Sequence, residues 1–429
     1  MHYHFTMYTY TKMRKSVCGL VVLFLLCINP RFAAGEPSGA SLVIVGPGDA
    51  MYEYWGHIGV TIEDDLEGIS LFYDFGNFSF HADNFYSSFI VGRMIYLGSV
   101  TTTEFFISQA MREDRSLILY PLNLGTEELR ELEAALRWRT LPENQEYLYD
   151  YFLNNCSTII RDILNDVVGG TLRASTASIP DKTYRHYTRT GAWPSVLNEL
   201  MLHFLLGEQQ DKEISAWDLM FIPQAVADAV LGLEYPGRDG VVRVLANEKI
   251  VLKESTRPPI PREPRILWPW LLTLSIALGL LWNVAGRFLR AVILLFVGIP
   301  GLILGFLMLF TDHAAAYNNI NIWLSMPTVL LGLIPLAIRD WKRWIAGREL
   351  VLGWIWTLNL AGLLVAFSLR LSGISIQNTG AFWALYGPLT FMASWPGQWL
   401  KGKFHLRLGK FGRCGSGDVK QIRTADNGD

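Results

Sequence analysis

The feature that most constrains this chain is a series of apolar runs in its C-terminal part. Five of them, at 266–284, 289–310, 322–338, 351–371 and 381–399, alternate with short polar loops. Each is close to the ~20 residues that a helix needs to cross a hydrocarbon core. Pro388 and Pro396 interrupt the fifth, which makes it the weakest of the set. The loops set a direction. Arg287 and Arg290 lie in the first loop, and Arg339, Lys342, Arg343 and Arg348 in the third. Lys401, Lys403, Arg407, Lys410 and Arg413 follow the last run, whereas the second loop has no basic residue and the fourth has only Arg370 at its edge. Basic loops stay in the cytoplasm. The tail at 400–429 is therefore expected inside, and everything before residue 266 outside.

The N-terminus agrees independently. Lys12, Arg14 and Lys15 precede an apolar core at 16–28, and Ala33-Ala34-Gly35 offers small residues for cleavage. Residues 1–35 read as a secretory signal, with an uncleaved anchor helix as the alternative. Cys27 follows Leu25-Leu26, without the small residue a lipobox needs. Residues 36–253 have the mixed composition of an exported globular domain. The linker at 254–265 carries Pro258, Pro259, Pro261 and Pro264, so it is extended and stiff and holds that domain near the bilayer. The formal net charge of −2 over 429 residues argues against nucleic acid as a partner.

Cysteine usage narrows the chemistry. Cys18 and Cys27 fall in the signal and Cys414 in the tail, which leaves Cys156 as the exported domain's one cysteine. An unpaired thiol in an oxidising compartment is a liability unless it is used. Asn155 and Ser157 flank it and suit a helix start, and Ile159, Ile160, Ile163 and Leu164 follow at helical spacing. At a helix N-terminus the backbone N–H groups and the dipole favour a thiolate. A small buried core cysteine is the plain alternative.

Upstream, 41–45 reads as a strand, followed by the turn Gly46-Pro47-Gly48-Asp49. Residues 57–62 alternate as a second strand, 63–68 are polar, and 69–75 form a third, so the last two make a hairpin. A turn centred on Asp65 and Leu66 sets His57 directly across from Asp74, on the same face. The aromatic stretch at 77–89 reads mainly as core. Further on the stretch 92–98 leads into another strand, and we expect a helix at 103–115, a strand at 116–122 and a helix at 126–139. Residues 175–193 read mostly as loop, 196–206 and 216–231 as helices, and 241–245 with 249–253 as a terminal hairpin. No metal-ligand spacing occurs, and the pattern calls for no cofactor.

These residues make a coherent site. Cys156 supplies a nucleophile, His57 the base that ionises it, and Asp74 the group that orients the imidazole. A histidine on a strand before a cysteine on a later helix is the order of the circularly permuted NlpC/papain-like fold. The lecithin:retinol acyltransferase group uses that order, and there the thiolate takes an acyl chain from a phospholipid. The expected fold class is α+β: a permuted NlpC/papain-like cysteine domain followed by an α-helical transmembrane bundle of five spans.

A closer resemblance rests on several motifs in order: Gly46-Pro47-Gly48-Asp49, Trp55-Gly56-His57, Tyr73-Asp74-Phe75-Gly76, Gly92-Arg93 with Tyr96, and Asn155-Cys156 with Arg161-Asp162. In the membrane part Asp312-His313, Asn319, Asn321 and Pro327 continue the series. The set resembles the family of the bacterial lipoprotein N-acyltransferase Lnb over nearly the whole chain after the signal. Asn154 departs from it, standing where the family more often has an acidic residue. The resemblance implies an enzyme of the inner membrane, multi-pass, with its catalytic domain in the periplasm. Its acyl donor would be a membrane phospholipid, and its acceptor the N-terminal diacylglyceryl-cysteine of a lipoprotein. Arg93, Tyr96, Tyr151, Asn155 and Arg161 would then contact the phosphate or the carbonyl, or else serve as structural ion pairs and core hydroxyls. His313, Asn319 and Asn321 would bind a lipid head group or the incoming amine, or else satisfy the backbone of their own loop. Two other classes stay open: a membrane-tethered cysteine peptidase or amidase acting on cell-wall peptides, and a non-catalytic membrane scaffold.

Overall fold

The structure, a computed structural model, describes residues 37–64, 68–78, 85–338, 345–396 and 398. The expected signal, the basic residues Arg339, Lys342 and Arg343 and the basic tail lie outside them. The exported domain is built on a seven-stranded antiparallel sheet: β1 (Gly39–Val45), β2 (His57–Asp64), β3 (Ile69–Asn77), β4 (Ile95–Thr102), β5 (Leu117–Pro121), β6 (Glu146–Leu148) and β7 (Ile250–Lys253), in the order β7-β5-β1-β2-β3-β4-β6. Strand β1 is apolar on both faces because both faces are covered. Val43 and Val45 pack with Phe72 and Ala110 on one side, and Leu42 and Ile44 join the main core on the other.

The helices follow from their caps and stripes. Seven are used below: α1 (Phe85–Val91), α2 (Thr103–Arg112), α3 (Thr126–Thr140), α4 (Cys156–Val167), α5 (Tyr184–Gly191), α6 (Val196–Leu205) and α7 (Pro223–Val230). Helix α4 presents Ile159, Ile160, Ile163 and Leu164 to Ile58, Val60 and Phe75 of the sheet, with Leu132 and Leu136 of α3 alongside. Each such side chain contributes ~2 kcal/mol by leaving water, so this face fixes where the N-terminus of α4 lies.

Three expectations change. The 175–193 stretch is not loop, since α5 starts there, with Thr183 capping the His186 N–H. The terminal hairpin does not form. Val242–Val244 pairs with Glu234–Pro236, while β7 joins the edge of the main sheet beside β5. Two apolar partners, Ile118 and Leu119, draw Ile250 and Val251 there. The 216–231 helix is split at Ile222, because Pro223 starts a new helix and cannot continue an old one.

The membrane part comprises α8 (Trp268–Val284), α9 (Arg287–Phe310), α10 (Ile345–Leu371) and α11 (Gly380–Ala393), with a broken segment between α9 and α10. Among the described residues, Arg287–Phe310 and Gly347–Leu371 are helices long and apolar enough to cross a bilayer. Trp268–Val284 and Asn321–Ala337 are shorter apolar stretches. The expected third span is a four-residue helix at Asn321–Leu324, a 3-10 turn at Pro327–Gly332 and a short helix at Leu333–Ala337. Pro327 and Pro335 remove backbone donors, so the chain breaks there. Such a break is tolerated in lipid only where partners satisfy the freed groups. Asn359 of α10 provides them: it accepts from the Met326 N–H at 3.1 Å, and its amide reaches Thr390 Oγ1 at 3.0 Å. Helix α11 is 14 residues, with Pro388 inside, shorter than the expected fifth span. At the opposite end of the bundle Arg290 grips both oxygens of Glu349 at 2.7 and 2.8 Å, tying the starts of α9 and α10 together.

Candidate active site and its membrane loop

Cys156 is the first residue of α4 and is partly buried. Asn155 is its cap. The Asn155 Oδ1 accepts from the Ser157 and Thr158 N–H groups at 2.9 and 3.0 Å, and Thr158 Oγ1 accepts from the Asn155 N–H at 2.8 Å. The Asn155 amide donates to the carbonyls of Tyr151 and Phe221, both at 3.0 Å. Every polar group of this side chain is therefore occupied in holding the turn, which leaves none for the substrate contact expected of it. Asp150 supports the same turn by accepting from the Phe152 and Leu153 N–H groups at 2.9 and 2.8 Å. Asn154 donates to the Leu148 carbonyl at 2.7 Å, a bond that an ionised acidic residue at this position could not make.

The histidine and the carboxylate meet, but not through the expected pairing. The β2–β3 register sets Gly59 opposite Asp74 and Asp64 opposite Ile69, so His57 falls opposite Gly76 rather than Asp74. The difference is two residues, which preserves the face, and diagonal neighbours remain within reach of an imidazole. His57 Nε2 donates to Asp74 Oδ2 at 2.9 Å. A carboxylate only accepts, so Nε2 carries the proton and Nδ1 is left for the thiol. Gly76 makes room for this. A Cβ there would lie 3.1 Å from His57 Cε1, 3.6 Å from Nδ1 and 3.8 Å from the Cys156 Cβ. Asp74 is itself held: its Oδ1 accepts from Asn77 Nδ2 at 3.0 Å and from the Ser99 hydroxyl. Burial works against a charged imidazole, yet the hydrogen bonds to Asp74 and Cys156 outweigh it and push the His57 pKa up to about 10. The ring is thus protonated at neutral pH beside the thiol.

Tyrosines surround this group. Tyr96 stacks on Tyr149 at 4.2 Å and lies 6.4 Å from Tyr147, its partner across β4 and β6. Burial, and after it the charge at Cys156, raises the pKa of Tyr147 and Tyr149; for Tyr96 burial and Tyr151 come first. All three remain phenols and hence donors. The Tyr147 hydroxyl is buried and has no hydrogen-bond partner among the described residues. Tyr147 and Tyr149, with Asn77 and Ser99, were missed in the sequence reading. The alternation Tyr147-x-Tyr149-x-Tyr151 is a strand signal that points to the first two.

The other expected contacts are placed elsewhere. Arg161 stacks over Trp217 at 4.1 Å, donates to its carbonyl at 3.2 Å and pairs with Asp162, so it is a packing cation. Arg93 reaches Asp312 of the membrane loop at 2.7 Å. That loop, at 311–321, caps two helices of the exported domain. Helix C-termini leave carbonyls unpaired. At α1 the Asp312 N–H donates to Val91 O at 2.7 Å and His313 Nε2 donates to Phe89 O at 3.0 Å. At α6 Asn319 donates to the carbonyls of Phe204, Leu205 and Leu206 at 2.9–3.0 Å, and Asn321 to Phe204 O at 2.9 Å. Asn319 is buried and fully spent, its Oδ1 accepting from the Asn321 N–H and from Gln377, whereas the buried Asn321 Oδ1 has no hydrogen-bond partner among the described residues. His313 also lies against the Tyr151 ring at 6.5 Å, and Tyr151 belongs to the turn that leads into Cys156.

A thiol, an imidazole and a carboxylate on an α+β domain, moored to an apolar helical bundle, define a membrane-anchored thiol domain with the groups for acyl chemistry. Comparison with known families specifies the class. Residues 33–190 match the Lnb N-terminal periplasmic domain, and residues 260–385 match the Lnb transmembrane domain. The chain belongs to the Lnb family. It is a membrane-anchored protein with a periplasmic domain, and the role at family level is of the lipoprotein N-acyltransferase type. No curated protein and no solved structure matches the chain.

Proposed function

We propose that this protein moves an acyl chain from a membrane phospholipid, through a thioester on Cys156, to the α-amino group of a lipoprotein's N-terminal diacylglyceryl-cysteine. In the first half-reaction the Cys156 thiolate attacks the ester carbonyl. The oxyanion takes hydrogen bonds at the helix start, where Asn155 occupies the Ser157 and Thr158 N–H groups and leaves that of Cys156. His57 gives its proton to the departing lysophospholipid oxygen, and the thioester remains. In the second, the lipoprotein amine attacks the thioester. His57 takes a proton from the amine, the thiolate leaves, and an amide has formed. Asp74 holds the ring in the tautomer both steps need. The five-pass topology, the inner membrane as location and the donor lipid belong to this proposal, as do the domain limits 36–253 and 266–399.

The observation that carries the reading is the thiol–imidazole–carboxylate group standing beside a turn that the membrane loop touches. Its surroundings are aromatic rather than the wet, polar groove that a cell-wall peptide would favour. The intact His57–Asp74 bond has no purpose in a silent scaffold. The test is to incubate the full-length protein in phospholipid and weigh the Cys156 peptide. Hydroxylamine-labile acyl mass on Cys156, absent in Cys156→Ala, is expected. A wild-type peptide without acyl mass, in protein that still triacylates a client, would refute the thioester route.

A further inference from the structure

Helix α1 sits at the level of the membrane surface. Its carbonyls at Phe89 and Val91 accept from the His313 ring at 3.0 Å and from the Asp312 N–H at 2.7 Å. Asp312 is two residues beyond Phe310, where α9 ends, and two residues of chain reach at most ~7 Å. Helix α9 is long and apolar enough to cross a bilayer. The end that touches the periplasmic domain is its outer end, and there Leu309 and Phe310 are exposed, as side chains facing lipid are. Seven helical residues span ~10 Å, so no part of α1 lies farther than ~20 Å from that end.

The surface that α1 shows at this level is apolar. Residues Phe85–Val91 carry no charge. Tyr86, Phe89 and Ile90 recur at the spacings of three and four residues that set side chains on one helical face. They are 67%, 42% and 54% exposed. A helix on a wet surface turns its polar residues outward, whereas α1 turns three large apolar ones outward. Single exposed apolar residues are ordinary, but these three adjoin the lipid-facing end of α9 and also lead toward the thiol. The Phe89 ring lies 6.4 Å from the His313 ring, which lies 6.5 Å from Tyr151. The Tyr151 carbonyl accepts at 3.0 Å from Asn155, the cap beside Cys156.

We propose that the α1 face of Tyr86, Phe89 and Ile90 is embedded in the periplasmic leaflet of the bilayer and is the side from which an acyl chain enters the site. The occupant is lipid because the face continues the exposed apolar end of α9 and carries no charge to meet a polar partner. Helices that lie in the interface bury an apolar face by ~5–10 Å in this way. The entry route rests on the function argued above, and the membrane contact does not.

The two are tested separately. For the contact, p-benzoylphenylalanine is placed in turn at Tyr86, Ile90, Leu309 and Val242 of the full-length protein, in vesicles of phosphatidylethanolamine and phosphatidylglycerol. Val242 is exposed on the hairpin that binds Asn123, at the end of the sheet away from His57. After irradiation, phospholipid adducts are expected at 86, 90 and 309 and not at 242. Labelling at 309 without labelling at 86 and 90 overturns the proposal, as does lipid at 242 equal to that at 90. Adducts of 86 and 90 with another polypeptide assign the face to a protein partner and overturn it too. For the route, acylation of Cys156 is followed in mixed micelles with phospholipid and, separately, with water-soluble p-nitrophenyl acetate. Ile90→Glu is expected to raise the half-saturating mole fraction of phospholipid roughly tenfold, the weight of one half-buried aliphatic side chain. The soluble ester should react at the wild-type rate, and Ile90→Leu should keep the wild-type value with both donors. An unchanged half-saturation in Ile90→Glu overturns the route, and an equal loss with both donors makes α1 structural and overturns it as well. If neither donor acylates Cys156 in the wild type, the thioester mechanism fails, and the cross-links still decide the membrane contact.

Discussion

Gly76→Ala tests the site through a residue that carries no chemistry of its own. Gly76 faces His57 across the hairpin, and an added Cβ would sit 3.1 Å from the imidazole Cε1. That is a few tenths of an ångström inside ordinary carbon–carbon contact at ~3.5 Å, so the ring must give way by about that amount. It cannot do so freely. Nε2 is fixed to Asp74 at 2.9 Å, and Asp74 is fixed by Asn77 and Ser99. The ring tilts about that anchor, and the displacement falls on Nδ1, the nitrogen left for the thiol. A misplacement of 1 Å can cost about a hundredfold in rate, so a few tenths should cost roughly three- to tenfold. Stability should change by less, about 1 kcal/mol, because the backbone is extended and the added methyl is buried. The assay is Cys156 acylation by an activated ester, beside a thermal melt of the same preparation. A wild-type rate with an unchanged melt would mean that His57 does not lie where activity depends on its position. A collapsed melt would make the residue structural and refute the positional reading.

Three further outcomes follow from the same geometry. Asp74→Asn removes the main support of the His57 charge, while burial still opposes that charge, so the alkaline limit of acylation, near pH 10 in the wild type, should move to lower pH. The same raised pKa stabilises the fold fully below the ordinary imidazole value of ~6.5 and loses that contribution as pH climbs toward 10, so Asp74→Asn should flatten the alkaline fall of Tm; an alkaline limit that stays in place separates His57 from the reaction. Tyr147→Phe deletes a buried hydroxyl that has no partner, so the melt should hold or rise. If that phenol donates to the acyl carbonyl, kcat should nonetheless fall about ten- to a hundredfold, and equal kcat would make Tyr147 a packing ring. Gly92→Ala places a Cβ 2.8 Å from backbone atoms of both Asp312 and His313, at a residue with φ of +82°, so the start of the membrane loop should leave α1 and become open to proteolysis at 311–316; unchanged proteolysis would show that the contact is not needed.

What was legible in the sequence is what a period or a composition encodes. The α4 stripe behind Cys156 and the strands on either side of His57 follow from local pattern, and the structure contains each of them. The third run illustrates the limit. Its composition suits a span, but its backbone breaks at Pro327, and Asn359, some thirty residues later, is what makes the break tolerable. The His57–Asp74 meeting was foreseen on the right face and with the wrong register, because alternation specifies faces modulo two and the polar stretch at 63–68 does not specify its own turn. Asn319, Asn321 and Asn155 looked like contacts for a ligand because they are polar and sit beside suggestive neighbours. Only the fold shows that the groups they satisfy are carbonyls and N–H groups at the ends of helices.

Those helix ends explain how a periplasmic domain keeps one position above its bundle. The carbonyls at the ends of α1 and α6 accept from the bundle's loops, so the domain and the bundle complete each other's hydrogen bonds, beside the packing of Phe204, Leu200 and Leu205 into the apolar core of the bundle. Each bond contributes ~1 kcal/mol net, and less where water competes. The four from Asn319 and Asn321 are buried and hold best. The linker makes docking intramolecular, so no translational freedom has to be recovered for each encounter. Under that condition ~3 kcal/mol already keeps the docked state about a hundredfold ahead of the open one. The α6 contacts supply that much by themselves, through the amide hydrogens of Asn319 and Asn321 together with the packing of Phe204 in the bundle core. The α1 contacts, exposed and built on Arg93, Asp312 and His313, can therefore open while the domain remains moored. It is this second, weaker contact that lies against Tyr151 and the turn into Cys156. A substrate arriving from the membrane plane would meet the site through the contact that gives way at least cost.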